Sequence, residues 1–415
     1  MLTTTLAAAV LPLLAAARPC RRASPPSELF SPDIASKVAA TAQRVIGAGS
    51  SSYPHTTDSN AGTWNLEKAD WWTSGFFPAT AYLLNARKDK CGADDDNGLG
   101  GADWLGLGRA MSAGLVPLED HTTQGHDVGF LSFPFIEELK VNSSNDTAKT
   151  GVNKFANALA ARFNPTVGCT LSWDSSNADE FQVIIDNMMN LEVLFQSAAL
   201  TGNNTLIDIA TSHANTTMRN HIREDGGTWH VIVYSASTGQ VTAKRTAQGY
   251  SDDSTWARGQ AWAIYGFANM YAHTGIEDYL TTARKVADYF IAHVPQDGIV
   301  PWDFQAPTDN RPADSSAQTI ASSALLLLAQ HETDSSKAKS QGLLHTQTPG
   351  LQTLTRASQL LSDITSFAWK SNWQSLLSNG TVNMPQGNSR TGIVYGDHYY
   401  IQAGSQLLDL GLASC

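Results

Sequence analysis

Cysteine is scarce: Cys20, Cys91, Cys169 and Cys415 are the four in 415 residues. None stands in a CxxC pair, so neither a zinc site nor a dithiol redox motif is expected. In oxidising surroundings four cysteines allow three pairings, and cleavage at Arg21-Arg22 would remove Cys20. Basic residues are also few, 27 Lys and Arg against 38 Asp and Glu, for a formal net charge of -11. Nucleic acid and anionic membranes both call for basic surface, so neither is expected as a partner. Long apolar runs are missing as well. The most apolar stretch, Thr5 to Ala17, falls short of the roughly 20 residues a bilayer span needs. No linker rich in Pro, Gly or Ser divides the chain, which favours one domain over residues 25–415.

Residues 1–17 read as a secretion signal, an apolar run ending in small residues, although no Lys or Arg precedes it. Asn142, Asn145, Asn203, Asn215 and Asn379 each open an Asn-x-Ser/Thr triplet, so the expectation is a secreted, extracellular glycoprotein. Apolar residues at 42% and charged residues at 16% allow a sizeable core.

Three- and four-residue apolar spacing predicts about twelve helices, near 33–48, 74–86, 102–116, 128–140, 147–163, 187–201, 204–222, 255–274, 277–293, 314–331, 351–366 and 397–411. Residues 226–250 read instead as a β-hairpin, 332–350 as an exposed insertion, and 92–101 as a surface loop. Carboxylates, aromatics and His gather before every second helix: Asp70-Trp71-Trp72, His126-Asp127, Asp186-Asn187, Asp252 to Trp256, Asp314-Ser315, and Gly396-Asp397-His398. Helix capping accounts for each of these alone. It does not account for the alternation. A ring of six antiparallel helical hairpins does, because all inner helices then start at one end and their first turns converge. The expected fold is all-α, an (α/α)6 barrel with a small β-hairpin insertion.

Such a cavity would hold carboxylates and large aromatics, including Trp72 and Trp256 beside helix starts, and sugars stack their C–H faces on indoles. Glycosidic chemistry uses two acids, and Asp127 and Asp186 are the expected pair. Gly129 leaves room for a ligand beside Asp127. Val183-Ile184-Ile185 would give Asp186 an apolar wall that raises its pKa. Asp253, Asp303, Asp314 and Asp397 are the competing acids. Arg258 lies four residues before Trp262, on one helix face, and suggests a carboxylate-bearing ligand unless Asp252 or Asp253 neutralises it.

Taken together, Trp72-Thr73-Ser74-Gly75-Phe76, His126-Asp127-Val128-Gly129-Phe130, Ile185-Asp186-Asn187-Met188-Met189-Asn190, Thr228-Trp229-His230, Gln248-Gly249-Tyr250, Trp256-Ala257-Arg258-Gly259-Gln260-Ala261-Trp262 and Tyr395-Gly396-Asp397-His398 resemble the unsaturated glucuronyl hydrolases, glycoside hydrolase family 88, from about residue 60 onward. The resemblance implies the (α/α)6 barrel and no metal or organic cofactor. It implies hydration of the C4=C5 double bond that polysaccharide lyases leave on a terminal uronate. The partners are then unsaturated uronate-terminated oligosaccharides. By the same resemblance Asp186 is the general acid and base, and Asp127 holds sugar hydroxyls and supports it. His126, His230, Gln248, Arg258, Trp72, Trp256 and Trp262 surround the sugar. Residues 332–350 depart from the family pattern, and the stretch around Asn388-Ser389-Arg390-Thr391 lies where the leaving sugar is met. An unsaturated rhamnogalacturonyl hydrolase, an inverting glycosidase for saturated sugars, and a non-catalytic sugar-binding barrel are the alternatives.

Overall fold

A computed structural model of the chain describes residues 25–93, 97–339 and 349–415. The expected signal segment, Cys20, Asp94-Asp95-Asp96 and the middle of the polar insertion lie outside them. Each expected helix has a counterpart: α1 (Pro32–Gly47), α2 (Phe76–Cys91), α3 (Trp104–Ser112), α4 (Val128–Val141), α5 (Asp146–Ala160), α6 (Asn187–Asn190), α7 (Glu192–Thr201), α8 (Thr205–Asn220), α9 (Ala257–Thr274), α10 (Glu277–His293), α11 (Ser315–Lys339), α12 (Pro349–Ala368) and α13 (Val394–Asp409). The sixth expected helix is divided at Leu191 into α6 and α7. The expected insertion begins as helix, because α11 continues through its polar end to Lys339.

Helices α2, α4, α6 with α7, α9, α11 and α13 touch in that order, and α13 closes back on α2. Outside this ring α3 packs on α2, α5 on α4, α8 on α7, α10 on α9 and α12 on α11, with α1 against α3. The (α/α)6 barrel is therefore the fold. The two layers follow from sequence pattern. Inner α9 buries every residue from Ala257 to Ile264. Outer α5 buries only Ala148, Gly151, Val152, Phe155, Ala156 and Leu159, a single stripe at three- and four-residue spacing.

Small residues set how closely the inner helices approach. A Cβ on Gly75 would lie 2.0 Å from the Phe130 carbonyl oxygen, and one on Gly129 2.5 Å from the Asn190 Cα. Gly129 thus makes room for Asn190, not for a ligand as its position beside Asp127 suggests. Rings plug the barrel axis: Phe76 lies 5.0 Å from Phe130, Phe130 5.7 Å from Trp262, and Trp262 5.5 Å from Tyr399, centroid to centroid.

Short strands decorate the mouth. β1 (Ser52–Thr57) pairs antiparallel with β2 (Trp64–Lys68), a hairpin the helical reading missed. β3 (Phe163–Asn164) pairs with β4 (Cys169–Thr170). The expected hairpin is β6 (Val231–Ser235) with β7 (Val241–Arg245), and β5 (Glu180–Ile184) adds a third strand that delivers the chain to Asp186. A disulfide joins Cys91, at the end of α2, to Cys415, while Cys169 is buried and free.

Candidate active site

The first turns of the inner helices open on a cavity of about 540 Å³. Trp71 and Trp72 reach it from before α2, Asp127 from before α4, Asp186 from before α6, and Arg258 from the first turn of α9. Gln248, Trp173 and Ile184 complete its inner wall, and Asn65 and Glu67 of β2 join Val382, Asn383, Gln386 and Asn388 in its outer part.

Asp127 and Asp186 stand at the N-cap positions of α4 and α6 without bonding their free N–H groups, and their side chains keep 20% and 13% of their surface exposed. Burial raises Asp127 to about 7, against the pull of the Asn190 amide and Arg162. Burial likewise raises Asp186 to about 6; Arg258 and His126 draw it down, and Asp127 pushes it up. Both carboxyls therefore exchange protons near neutral pH, the range in which a general acid is most useful.

Two histidines back the pair. His126 Nδ1 lies 2.9 Å from the Ser172 carbonyl oxygen, so it donates there and turns a bare Nε2 to Asp127 Oδ1 at 3.3 Å. Burial pushes His126 down to about 4 and keeps it neutral. His230 has the opposite tautomer. Its Nδ1 accepts the Ala247 N–H at 3.2 Å, so Nε2 carries the proton, 3.8 Å from Asp186 Oδ2.

Arg258 departs from the sequence expectation. Its Nη1 donates to Asp314 Oδ2 at 2.9 Å and to the Thr381 carbonyl at 2.5 Å; its Nη2 donates to Gln248 Oε1 at 2.7 Å and the Val382 carbonyl at 2.6 Å. Four of its five N–H groups are thus committed to the protein. The partner is Asp314, not Asp252 or Asp253. Asp252 accepts the Thr246 N–H, whereas Asp253 is exposed. What Arg258 supplies to the cavity is its charge and the orientation of Gln248, whose Nε2 remains to donate.

Trp72, Gln248 and Arg258 line the cavity among the expected sugar-contacting residues. His126, His230 and Trp256 stand behind it: Trp256 is 2% exposed, with the Arg258 guanidinium 4.4 Å above its ring and His230 at 4.5 Å. Trp262 is 1% exposed and belongs to the aromatic plug. Of the competing acids, Asp303 accepts from Tyr250 N–H and the Ser254 hydroxyl, and Asp397 from the Leu376 and Leu377 N–H groups. They hold loops. Sequence reasoning missed His55, Thr56, Asn65 and Glu67, because six- and five-residue strands interrupted by Pro54 carry too little alternation to register.

Asp127→Asn is expected to make the protein more stable at pH 8 and not at pH 4. A carboxyl whose folded pKa is raised contributes stability below its unfolded value near 4, which is lost as pH rises through about 7. The neutral amide avoids that loss, worth at most ~4 kcal/mol for about three units. Urea unfolding at both pH values checks this; an equal difference at pH 4 and pH 8 would show that the side chain is not held protonated.

A closed helical ring with two proton-exchanging carboxyls above an aromatic floor defines a barrel enzyme with glycosidase chemistry. The model of Glycosyl Hydrolase Family 88 matches residues 145–327. An unsaturated glucuronyl hydrolase of Formosa agariphila is 36% identical over 340 residues, covering 80% of this chain and 78% of that protein. An unsaturated chondroitin disaccharide hydrolase of Streptococcus pneumoniae is 32% identical over 285 residues, 67% of this chain and 69% of the relative. The crystal structure of the unsaturated glucuronyl hydrolase from Bacillus sp. GL1 superposes with a TM-score of 0.79 at 25% identity, covering 92% of this chain and 97% of that one. The chain belongs to glycoside hydrolase family 88, the unsaturated glucuronyl hydrolases.

Proposed function

We propose that the protein removes the terminal 4,5-unsaturated uronate from lyase-generated oligosaccharides, with Asp186 as acid and then base. Residues 25–415 act as one catalytic domain, a reading supported by an apolar cluster that runs from Leu29 to Leu407. The observation that carries the mechanism is Asp186 at the cavity wall, raised to about 6 by burial, with the His230 Nε2–H beside Oδ2. Protonated, Asp186 gives its proton to C4 of the double bond, and positive charge develops at C5 and the ring oxygen. The carboxylate left behind takes a proton from water as the water oxygen bonds to C5. The C5 hemiketal then opens to a ketone, and C1 releases the neighbouring sugar as an alcohol. One water is consumed and no oxidant is needed.

Asp127, beside His126 and the Asn190 amide, holds sugar hydroxyls, and where it is ionised its charge adds to the burial that raises Asp186. Trp72 offers a ring face to the sugar, and Gln248 Nε2 a donor to the uronate, whose negative charge Arg258 attracts. The relatives point to glycosaminoglycan fragments as the parent material: one is a chondroitin disaccharide hydrolase, and the Bacillus enzyme is described as responsible for the degradation of glycosaminoglycan.

Loss of the ultraviolet absorbance of an unsaturated uronyl disaccharide is the expected result, with deuterium entering C4 stereospecifically in D₂O. Release of sugar with absorbance retained would mean ordinary hydrolysis, and binding without either change would mean a lectin-like barrel. Secretion is part of the same proposal. It is supported by residues 1–17, the Cys91–Cys415 disulfide and the exposed sequon at Asn203. By contrast Asn145 caps α5 and donates to Glu138, and Asn215 accepts from Tyr279 within α8, so these two are poor glycan sites. Mass spectrometry of the Asn203 peptide from secreted protein is expected to find a glycan; bare Asn203 in intracellular protein would end the proposal.

A further inference from the structure

We infer that Glu67 makes this enzyme selective for substrates whose leaving sugar carries no sulfate. The inference rests on the proposed function and adds the class of leaving group. Burial grades the cavity from one part to the other. Arg258 is 1% exposed and Asp186 nearly buried, whereas Asn65 and Gln386 are open to solvent and Glu67 half so. The uronate belongs at the inner part, where Asp186 does chemistry, so the leaving sugar occupies the outer part. There, beside Val382, the polar side chains of the lining are Asn65, Glu67, Asn383, Gln386 and Asn388. Four are amides, suited to neutral hydroxyls and acetamido groups, and Asn383 Oδ1 and Asn388 Oδ1 are buried without a hydrogen-bond partner among the described residues.

The fifth is a carboxylate. Strand alternation puts Glu67 on the same side of β2 as Asn65, facing the cavity, and no counter-charge meets it among the described residues. Among the described residues no lysine lines the cavity, and the one arginine that does, Arg258, is committed to Asp314, Gln248 and two carbonyls. The cavity therefore has a cation near one part and an anion near the other. That matches a disaccharide charged on the uronate and neutral on its neighbour. A sulfate ester on the leaving sugar would face Glu67 across a partly desolvated gap with no cation among the described lining residues to receive it, the nearby Arg390 being bonded to Asn310; this is a repulsive element of the kind that sets specificity.

The test compares kcat/KM for three unsaturated uronyl hexosamine disaccharides that differ only in the hexosamine: unsulfated, 4-sulfated and 6-sulfated. Wild type is expected to prefer the unsulfated sugar by about tenfold or more over at least one sulfated form. Glu67→Gln should shrink that ratio to within about threefold, and Glu67→Lys should bring it to parity or reverse it. Because Glu67 is half-exposed, raising the salt from about 0.02 to 0.5 M should also narrow the wild-type ratio, which a steric filter would not do. Wild-type turnover of all three sugars at equal rates overturns the inference and leaves the hydrolase reading standing. A preference unmoved by both Glu67 variants, or by salt, also overturns it. Turnover of none of the three overturns the hydrolase reading and the inference with it. Circular dichroism of both variants, expected to match wild type, keeps misfolding from passing as altered selectivity.

Discussion

Asp186→Asn is expected to cut kcat by about 10³–10⁴-fold while KM stays within about threefold. The amide keeps the size and most of the hydrogen bonding of the carboxyl but carries no proton to give and no charge to take one back. In the proposed sequence one group serves both steps, so no neighbour retains half of the function. A variant with more than about a tenth of wild-type activity would move the role to Asp127. The pH profile adds a second check. Wild-type kcat/KM should fall as pH rises through about 6, because the acid form of Asp186 is consumed there. Asp127 is itself largely protonated up to about pH 7, so Asp127→Asn should leave that limb near pH 6, burial being what raises Asp186. A limb that moves to lower pH would mean that Asp127 is ionised there and raises Asp186 by its charge.

Asp314→Ala is expected to cost ~3–5 kcal/mol of stability and most of the activity. The Arg258–Asp314 pair is sealed, the side chains being 2% and 0% exposed at 2.9 Å. Removing the acid leaves a buried guanidinium without its counter-charge, and also removes an acceptor for the N–H groups of Ser316, Ala317 and Thr381. The segment at Thr381 leads into the outer cavity loop, so the damage reaches the site. Replacing both partners, Arg258→Met with Asp314→Ala, should recover part of the stability, since an ion pair removed whole leaves no orphan charge. Activity should not return, because Gln248 then lacks the donor that orients it. Urea unfolding with kinetics on the three proteins measures both effects. A loss under about 1 kcal/mol in Asp314→Ala would show that water reaches Arg258 and that its isolation is overstated.

The helical ring was legible because its information is local. Apolar spacing placed the start of each helix within a few residues, although α11 runs eight residues past its expected end. The clustering of Asp, His and Trp before alternate helices identified their common end, since helix starts collect acids and the inner set also borders the cavity. The same locality misled at Gly129, whose neighbour in space is Asn190, 61 positions away.

Sequence by itself thus determined the twelve helical segments, their alternation of buried and striped faces, and the pairing of Asp127 with Asp186 as candidate acids. Tertiary structure decided what each charge meets. Arg258 turns from the nearby Asp252 and Asp253 to Asp314 at the start of the next inner helix, because ring closure brings the first turns of α9 and α11 side by side. Glu67 enters the cavity only because β1 and β2 fold over the mouth, where Thr56 bridges to Ile393 and the Trp64 N–H donates to Gln374. Periodicity along a chain records which faces are buried. It holds no record of which distant segment covers them, and the pKa of a carboxyl depends on that covering.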